Sequence, residues 1–244
     1  MGVVHPLLPA AHGDLDDEQL EARYAYPDDP GAPYVRVNFV ASADGAMSVE
    51  GRSAGLGSPA DRRVFLLLRE LADVLLVGAG TVRAEDYGGA RRPTRGTDHP
   101  PPVAVVTGSA RLDPGSRLFT DTRVPPIVLT TESAPRERRE RLTAAGGDVV
   151  VLERLTPDLV LAELARRGLH RVLCEGGPTL FGELVAADAV DELCLTVAPL
   201  LVGGAAGRIA TGPQGGHLRR LELADALHED GVLLLRYRRG TPIG

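Results

Sequence analysis

The stretch RVLCEGGPTLFGELVAA at residues 171–187 decides the fold. It begins as a short apolar run typical of a buried strand, passes through Glu175, Gly176 and Gly177, and continues from Pro178 with helical spacing. Two successive glycines let the backbone approach a bound group closely, and the free N–H groups of a helix start favour an anion such as a pyrophosphate. A plain strand-to-helix turn also uses glycine, so both interpretations are open on these residues alone.

Strands and helices alternate along the rest of the chain. Short apolar runs predict further strands at 34–42, 73–79, 103–107, 126–130, 148–152 and 192–198. Helical spacing predicts helices at 135–145, 157–167 and 178–187, and another that begins at Ser58 and Pro59. This alternation predicts an α/β fold with a mostly parallel central sheet and helices on both faces. The last two apolar segments, 219–227 and 232–238, predict an antiparallel hairpin.

The length of 244 residues suits one large α/β domain. Residues 1–32 are acidic and contain prolines, so we expect an N-terminal arm, in which 15–25 can form one short helix. Residues 33–244 are expected to form the folded domain. Its first strand, at 34–42, alternates valines with polar residues such as Arg36.

Composition excludes several classes of protein. The net charge of −6 argues against a nucleic-acid partner. The sequence contains no lysine, which excludes a lysine Schiff base, a pyridoxal phosphate anchor and a P-loop lysine. No apolar run has the roughly 18 residues that a membrane helix needs, and the first residues lack the pattern of a secretion signal. We therefore expect a cytoplasmic protein with no membrane partner.

The cysteines and histidines predict no metal site. Cys174 and Cys194 both lie in apolar runs and are expected to be reduced core residues. There is no CxxC motif and no zinc-deaminase signature. The six histidines are scattered, and none has metal-ligand spacing: His5, His12, His99, His170, His217 and His228.

A second glycine-rich segment, LLVGAGTVRAED, lies at 75–86. Gly78 and Gly80 resemble part of a dinucleotide fingerprint, but Arg83 stands where the third glycine belongs, so the motif is weak. Thr81 lies at the start of a helix and can bind a cofactor there.

Polar residues in the neighbouring loops are further candidates. Glu85 and Asp86 form a carboxylate pair, which on its own is more typical of a solvated loop. The loop at 43–58 is rich in glycine and follows a strand, where α/β sheets bind ligands. The long loop at 88–102 contributes arginines, and a guanidinium is the preferred partner of a phosphate. The arginine candidates are Arg69, Arg91, Arg92 and Arg95.

Three segments in order, ASADG (41–45), GAGTVRAED (78–86) and EGGPTLFGELVAAD (175–188), resemble a known family. The chain is similar to the reductase half of the bifunctional deaminase-reductase of riboflavin biosynthesis, and more so to its stand-alone pyrimidine reductase relatives. The likeness extends over residues 34–238. It implies a dihydrofolate-reductase-like fold and an NADPH-dependent reductase domain at 33–244.

The resemblance also implies roles for individual residues. Ser109 and Arg111 are candidate partners for the 2′-phosphate of NADPH, and the Gly176–Gly177 bond is expected to be cis. The implied cofactor-binding residues are Val40, Ala41, Gly55, Thr81, Glu85, Ser109, Gly176, Gly177, Pro178, Thr179, Leu180, Phe181 and Gly182. The implied substrate-binding residues are Asn38, Ser53, Arg69, Arg92 and Glu175. The chain departs from many relatives at Asn38, where they carry lysine, and at Gly55, where they carry an aromatic residue.

The implied reaction reduces a ribosylamino-pyrimidine 5′-phosphate to its ribitylamino form, without a metal. Glu175 and Asp44 are the candidates for orienting the opened sugar or relaying a proton, with Glu175 preferred. Two alternatives stay open: a dihydrofolate or pterin reductase on the same fold, and a nucleotide-binding protein without turnover. The hairpin and the apolar strand at 192–202 predict a homodimer.

Overall fold

A central sheet with helices on both faces forms the body of the protein, in a computed structural model that describes residues 15–28, 30–212 and 218–242. Its strands are β1 (Tyr34–Ser42), β2 (Val74–Gly78), β3 (Val103–Val106), β4 (Ile127–Thr131), β5 (Asp148–Leu152), β6 (Arg171–Cys174), β7 (Glu192–Ala198), β8 (Arg219–Glu229) and β9 (Val232–Pro242). The helices are α1 (Asp17–Tyr24), α2 (Pro59–Leu71), α3 (Ala79–Ala84), α4 (Arg117–Thr120), α5 (Arg136–Ala144), α6 (Pro157–Arg166) and α7 (Pro178–Ala186), with a 3-10 turn at Ser53–Gly55.

The strand order is β5-β4-β3-β2-β6-β1-β7-β9-β8. All pairs from β5 to β7 are parallel, whereas β9 runs antiparallel to both β7 and β8. The predicted α/β fold with a C-terminal hairpin is therefore confirmed. Because the parallel strands all end at one edge, the segments that follow β1, β2 and β6 meet there.

The hairpin is longer than predicted, and its turn is tighter. The strands extend to Glu229 and resume at Val232, so that Asp230 and Gly231 alone form the turn. Both have positive φ angles, 48° and 82°. A two-residue turn of this kind matches the twist of antiparallel strands, which explains a glycine at its second position.

Helix α2 begins where the sequence predicts. The Ser58 hydroxyl accepts a hydrogen bond from the Asp61 N–H at 3.1 Å, and Pro59 occupies the first turn. The apolar face of α2 buries Leu68 and Leu71 against the sheet. The helix thereby lies over the strands whose ends form the candidate site.

The N-terminal segment packs more closely than an arm would. Leu20, Tyr24 and Tyr26 are buried in the same cluster as α2. Tyr26 covers the Arg36 guanidinium, with 4.0 Å between the guanidinium carbon and the ring centroid. The short helix predicted at 15–25 is present, but from Leu20 onward this segment belongs to the core. The division at residue 32 stays a prediction, and residues 1–14 lie outside the described ranges.

Candidate active site

The turn between β6 and α7 is fastened to the end of β2. The Glu175 N–H donates to the Leu76 carbonyl at 3.0 Å, and the Gly78 N–H donates to the Gly176 carbonyl at 2.7 Å. Gly176 has a φ of 89°, and the Gly176–Gly177 peptide bond is cis. A Cβ on Gly78 would lie 3.4 Å from the Gly177 nitrogen. The glycine at position 78 is therefore explained by the close packing of two backbones. This is an alternative to the phosphate-binding role that its motif suggests.

Close neighbours surround both glycines of the turn. A Cβ on Gly176 would lie 2.8 Å from the Phe39 ring, and one on Gly177 would lie 2.7 Å from the Thr81 hydroxyl oxygen. Contacts this short exclude a larger side chain without movement of the neighbour. The turn therefore presents backbone at the carboxyl edge of the sheet, next to the start of α3.

Helix α7 turns its apolar side chains inward. Leu180 and Phe181 are buried, and Phe181 stacks on Phe39 with 5.3 Å between ring centroids. A Cβ on Gly182 would lie 2.0 Å from the Thr211 carbonyl oxygen. The glycine at 182 is therefore required by the segment that follows β7, and the cofactor-binding role predicted for Leu180, Phe181 and Gly182 remains a prediction.

Arg69, Glu175 and Tyr87 form one hydrogen-bonded cluster beside the turn. The Arg69 Nε and Nη2 donate to the two oxygens of Glu175 at 2.8 and 2.7 Å. The Tyr87 hydroxyl donates to Glu175 Oε2 at 2.5 Å and accepts from Arg69 Nη2 at 3.0 Å. The Arg69 side chain is 18% exposed and the Glu175 side chain 5%. The structure thus brings two predicted substrate residues together.

The sequence reasoning missed Tyr87. It follows Asp86 in the second glycine-rich segment, and its ring lies 5.2 Å from the Arg69 guanidinium carbon. Burial, the largest cause, raises the pKa of Tyr87 well above its ordinary value, so the hydroxyl keeps its proton. An aromatic residue at the end of a polar motif was the available signal.

Arg92 lies apart from this cluster. Its Nη1 bonds to Glu70 at 2.7 Å, and Arg95 bonds to the same carboxylate at 3.0 Å. Together with Thr94 they line an open cavity of about 440 Å³. Arg91 pairs with Asp121. The arginines of the long loop are therefore engaged with carboxylates.

Asp44 holds two loops together. Its carboxylate accepts from the Ser42 hydroxyl and from the N–H groups of Val202 and Gly203, the last at 2.7 Å. These bonds, that of Ser42 foremost, lower the pKa of Asp44 to about 2. A carboxylate that stays ionised and fully engaged is suited to fixing the loop after β7, and less suited to relaying a proton.

A cavity of about 480 Å³ opens beside Asp44. Its walls include Ala41 at the end of β1 and Arg208 in the segment after β7. Val40, the neighbouring predicted cofactor residue, is half-buried on β1, as is Asn38. The end of β1 thus joins this cavity to the region of the glycine turn.

The remaining predicted cofactor residues lie around α3. Glu85 accepts from the Ser53 N–H at 3.0 Å, which ties the loop after β1 to the end of α3. A Cβ on Gly55 would lie 3.0 Å from the Val49 Cβ, so this position has no room for an aromatic residue in the present loop conformation. Ser109 is exposed, and its carbonyl accepts from Arg138.

Within the described ranges, no group of three His, Cys, Asp or Glu side chains is arranged to hold a metal ion. His5, His12 and His217 lie outside those ranges. Cys174 and Cys194 are buried free thiols, and burial raises both pKa values to about 12. None of the described helices is both long and apolar enough to span a membrane.

The parallel sheet, its antiparallel hairpin and the glycine turn define a pyrimidine-reductase type of α/β domain. A solved structure of a pyrimidine reductase-like protein from Corynebacterium diphtheriae superposes with a TM-score of 0.80 and 25% identity, covering 91% of this chain and 99% of that one. The chain belongs to the RibD C-terminal domain family, whose model matches residues 33–234.

Two relatives carry a more specific name. The chain is 32% identical to a protein of Aquifex aeolicus over 70% of this chain and 79% of that one. It is 33% identical to a protein of Methanothermobacter thermautotrophicus over 80% of this chain and 89% of that one. Both are named 2,5-diamino-6-ribosylamino-4(3H)-pyrimidinone 5′-phosphate reductase. The predicted family and the predicted reductase class are therefore confirmed.

Proposed function

We propose that this chain reduces a ribosylamino-pyrimidine 5′-phosphate to the ribitylamino form in riboflavin biosynthesis, with NADPH as the reductant. The observation that carries the proposal is the position of the Arg69–Glu175 pair directly before the glycine turn, in a chain of this family. The names of the stand-alone relatives favour the 2,5-diamino substrate over its deaminated counterpart.

The turn suits the diphosphate of a dinucleotide. Gly177 lies directly against Thr81, because a Cβ on Gly177 would lie 2.7 Å from the Thr81 hydroxyl oxygen, and the two residues would together face a phosphate at the start of α7. Gly176, Gly177 and Thr179 would hold the diphosphate, Thr81 would bind beside it, and Ser109 would lie toward the 2′-phosphate. NADPH, when bound, supplies a hydride to the sugar carbon C1′.

The chain's own residues orient the sugar. Glu175 is a hydrogen-bond acceptor fixed from two sides, and it is suited to holding a hydroxyl of the opened sugar. Arg69 offers positive charge beside it. Asp44 positions the loop after β7. The proton that completes the reduction comes from water and not from Asp44.

The decisive experiment measures NADPH oxidation by the purified chain. We expect turnover with the 2,5-diamino substrate, slower turnover with the deaminated substrate, and negligible turnover with dihydrofolate. Faster reduction of dihydrofolate would support the pterin alternative. If the chain binds NADPH but oxidises it with none of these three substrates, the result would support a nucleotide-binding protein without turnover.

A glycine variant tests the cofactor position. Gly177→Ala adds a methyl group 2.7 Å from the Thr81 oxygen, whereas Gly115→Ala adds one no closer than 3.4 Å to Asp113 in an exposed loop. Overpacking costs about 1–3 kcal/mol, so we expect Gly177→Ala to weaken NADPH binding by about tenfold. Gly115→Ala is the matched control and keeps the wild-type dissociation constant. Unchanged NADPH binding by Gly177→Ala would place the cofactor elsewhere.

We also propose a homodimer, and the support for it comes from the C-terminal hairpin and not from β7. β7 lies inside the sheet between β1 and β9, so its apolar residues are explained by burial and offer no exposed edge. The outer strand β8 leaves Leu221 and Leu223 exposed, together with Leu233 on β9. An exposed apolar strand at a sheet edge suits pairing with a second copy. Sedimentation of wild type and of Leu221→Lys/Leu223→Lys tests it, since a monomeric wild type would contradict a dimer.

A further inference from the structure

The cluster beside the glycine turn contains one residue with no role in the proposed reaction. Tyr87 makes two hydrogen bonds with its hydroxyl, one to each of the predicted substrate residues Arg69 and Glu175. We propose that Tyr87 is a positioning residue, which aims the Arg69 guanidinium at the substrate. The inference rests on the proposed function and deepens it.

The hydrogen bonds of Arg69 divide its nitrogens into two groups. Nε and Nη2 both donate to Glu175, and Nη2 also donates to Tyr87. Among the residues that the structure describes, Nη1 has no hydrogen-bond partner, and it is not one of the buried unpaired atoms. The guanidinium is planar and rigid, so fixing two nitrogens also fixes the direction of the third. Nη1 is therefore the donor that Arg69 presents to a ligand.

Aromatic rings hold the plane of the guanidinium. The guanidinium carbon lies 4.2 Å from the Phe65 centroid and 5.2 Å from the Tyr87 centroid. Tyr87 thus contributes a ring that packs on Arg69 and a hydroxyl that locks its rotation. Tyr87→Phe removes the hydroxyl and keeps the ring, which separates the two contributions.

The hydroxyl also completes the environment of Glu175. Among the described residues, Oε1 accepts from Arg69 alone, whereas Oε2 accepts from Arg69 and Tyr87. Without Tyr87, Oε2 keeps a single donor and the ion pair gains freedom to rotate. The substrate then has to select one arrangement from several, which weakens its binding without any change at the glycine turn.

The test is a comparison of Tyr87→Phe with Tyr26→Phe. Both tyrosines are 9% exposed, and the Tyr26 hydroxyl donates to the Val172 carbonyl at 3.3 Å, near the start of β6 and not at the end that leads into Glu175. We expect Tyr87→Phe to raise the KM for the pyrimidine substrate by about tenfold, the loss expected for one hydrogen bond to a charged group. The dissociation constant for NADPH, measured without substrate, should stay within about twofold, and Tyr26→Phe should keep both constants.

An Arg69→Ala background shows whether Tyr87 acts through Arg69. If it does, Tyr87→Phe adds less than about twofold to the KM of Arg69→Ala, because coupled residues are not additive. A full tenfold effect in that background, or an unchanged KM in Tyr87→Phe, would overturn the proposal. The proposal would also be overturned if Tyr87→Phe lost NADPH affinity and melting temperature in parallel, because a purely structural role for Tyr87 predicts that result.

The same measurements separate this inference from the proposed function. Suppose that the wild type turns over the pyrimidine substrate and that Tyr87→Phe has the same KM and the same NADPH dissociation constant. This result would overturn the role of Tyr87 but not the proposed reaction. A wild type that fails to oxidise NADPH with any ribosylamino-pyrimidine 5′-phosphate would overturn the proposed reaction, and the positioning role with it.

Discussion

Replacing Glu192 with glutamine removes the negative charge that neutralises Arg36 inside the sheet. Glu192 begins β7 opposite Arg36 on β1, and the Arg36 Nε donates to its carboxylate at 2.6 Å. Both side chains are at most 1% exposed. Arg236 lies 3.7 Å from the same carboxylate and is also buried. The variant would therefore leave two buried guanidinium groups without a neutralising partner.

The expected loss is large for a single substitution. Removing one partner of a buried ion pair costs about 3–5 kcal/mol, because the other charge stays buried and unpaired. Glutamine keeps an acceptor oxygen for Arg36, so we expect the lower end, about 3 kcal/mol. For a domain of this size, that lowers the melting temperature by roughly 6–12 °C. Urea unfolding should show a lower midpoint with an unchanged slope.

A surface pair provides the control. Glu132 bonds to Arg139 at 2.9 Å, but the Glu132 side chain is 79% exposed. Exposed pairs contribute about 0–1 kcal/mol, so Glu132→Gln should change the unfolding free energy by less than about 1 kcal/mol. If the two variants lose equal stability, or if Glu192→Gln loses less than about 1 kcal/mol, the argument from burial is wrong.

Three further predictions concern the rest of the molecule. Deleting residues 1–26 removes buried side chains that cover the sheet, so we expect the melting temperature to fall by at least about 10 °C, and an unchanged value would support a detached arm. Cys174 and Cys194, whose pKa values burial raises to about 12, should not react with Ellman's reagent at about pH 8 until the protein is denatured. Asp44 has a pKa of about 2 when folded, below its ordinary value of 3.8, so its contribution to stability is present above about pH 4 and is lost as the pH falls toward 2. A plot of melting temperature against pH should therefore fall less steeply in this range for Asp44→Asn than for wild type.

Much of the fold follows from local sequence patterns. The strand YVRVNFVAS was predicted at its observed bounds, since β-branched residues and the flanking loops mark it. The start of α2 was also predicted correctly from the sequence, because Ser58 and Pro59 are specific signals for a helix N-terminus. Each of these patterns lies within a few neighbouring residues, so a single sequence is enough to recognise it.

The site was only partly predictable, because its contacts join distant segments. Arg69 and Glu175 were each predicted from the family resemblance, but their pairing across 106 residues depends on how α2 crosses the end of β6. Arg92 was assigned to the same site from the family resemblance, and the fold pairs it with Glu70, the neighbour of Arg69 on α2. The only sequence signal for Tyr87 was its place directly after Asp86. Its role becomes specific once the structure shows Arg69 and Glu175 on either side of its hydroxyl.

Arg36 shows most directly why local patterns mislead inside this fold. Its alternation with Val35 and Val37 is typical of a strand with one face in water. In a sheet covered on both faces, however, the polar position is buried as well, and Arg36 is fully buried beneath Tyr26. Such a charge is tolerated only with a partner, and β7 supplies Glu192 at the matching register position. The packing of the N-terminal segment, the charge of Glu192 and the alternation of β1 are therefore one linked feature, and the Glu192→Gln variant probes all three.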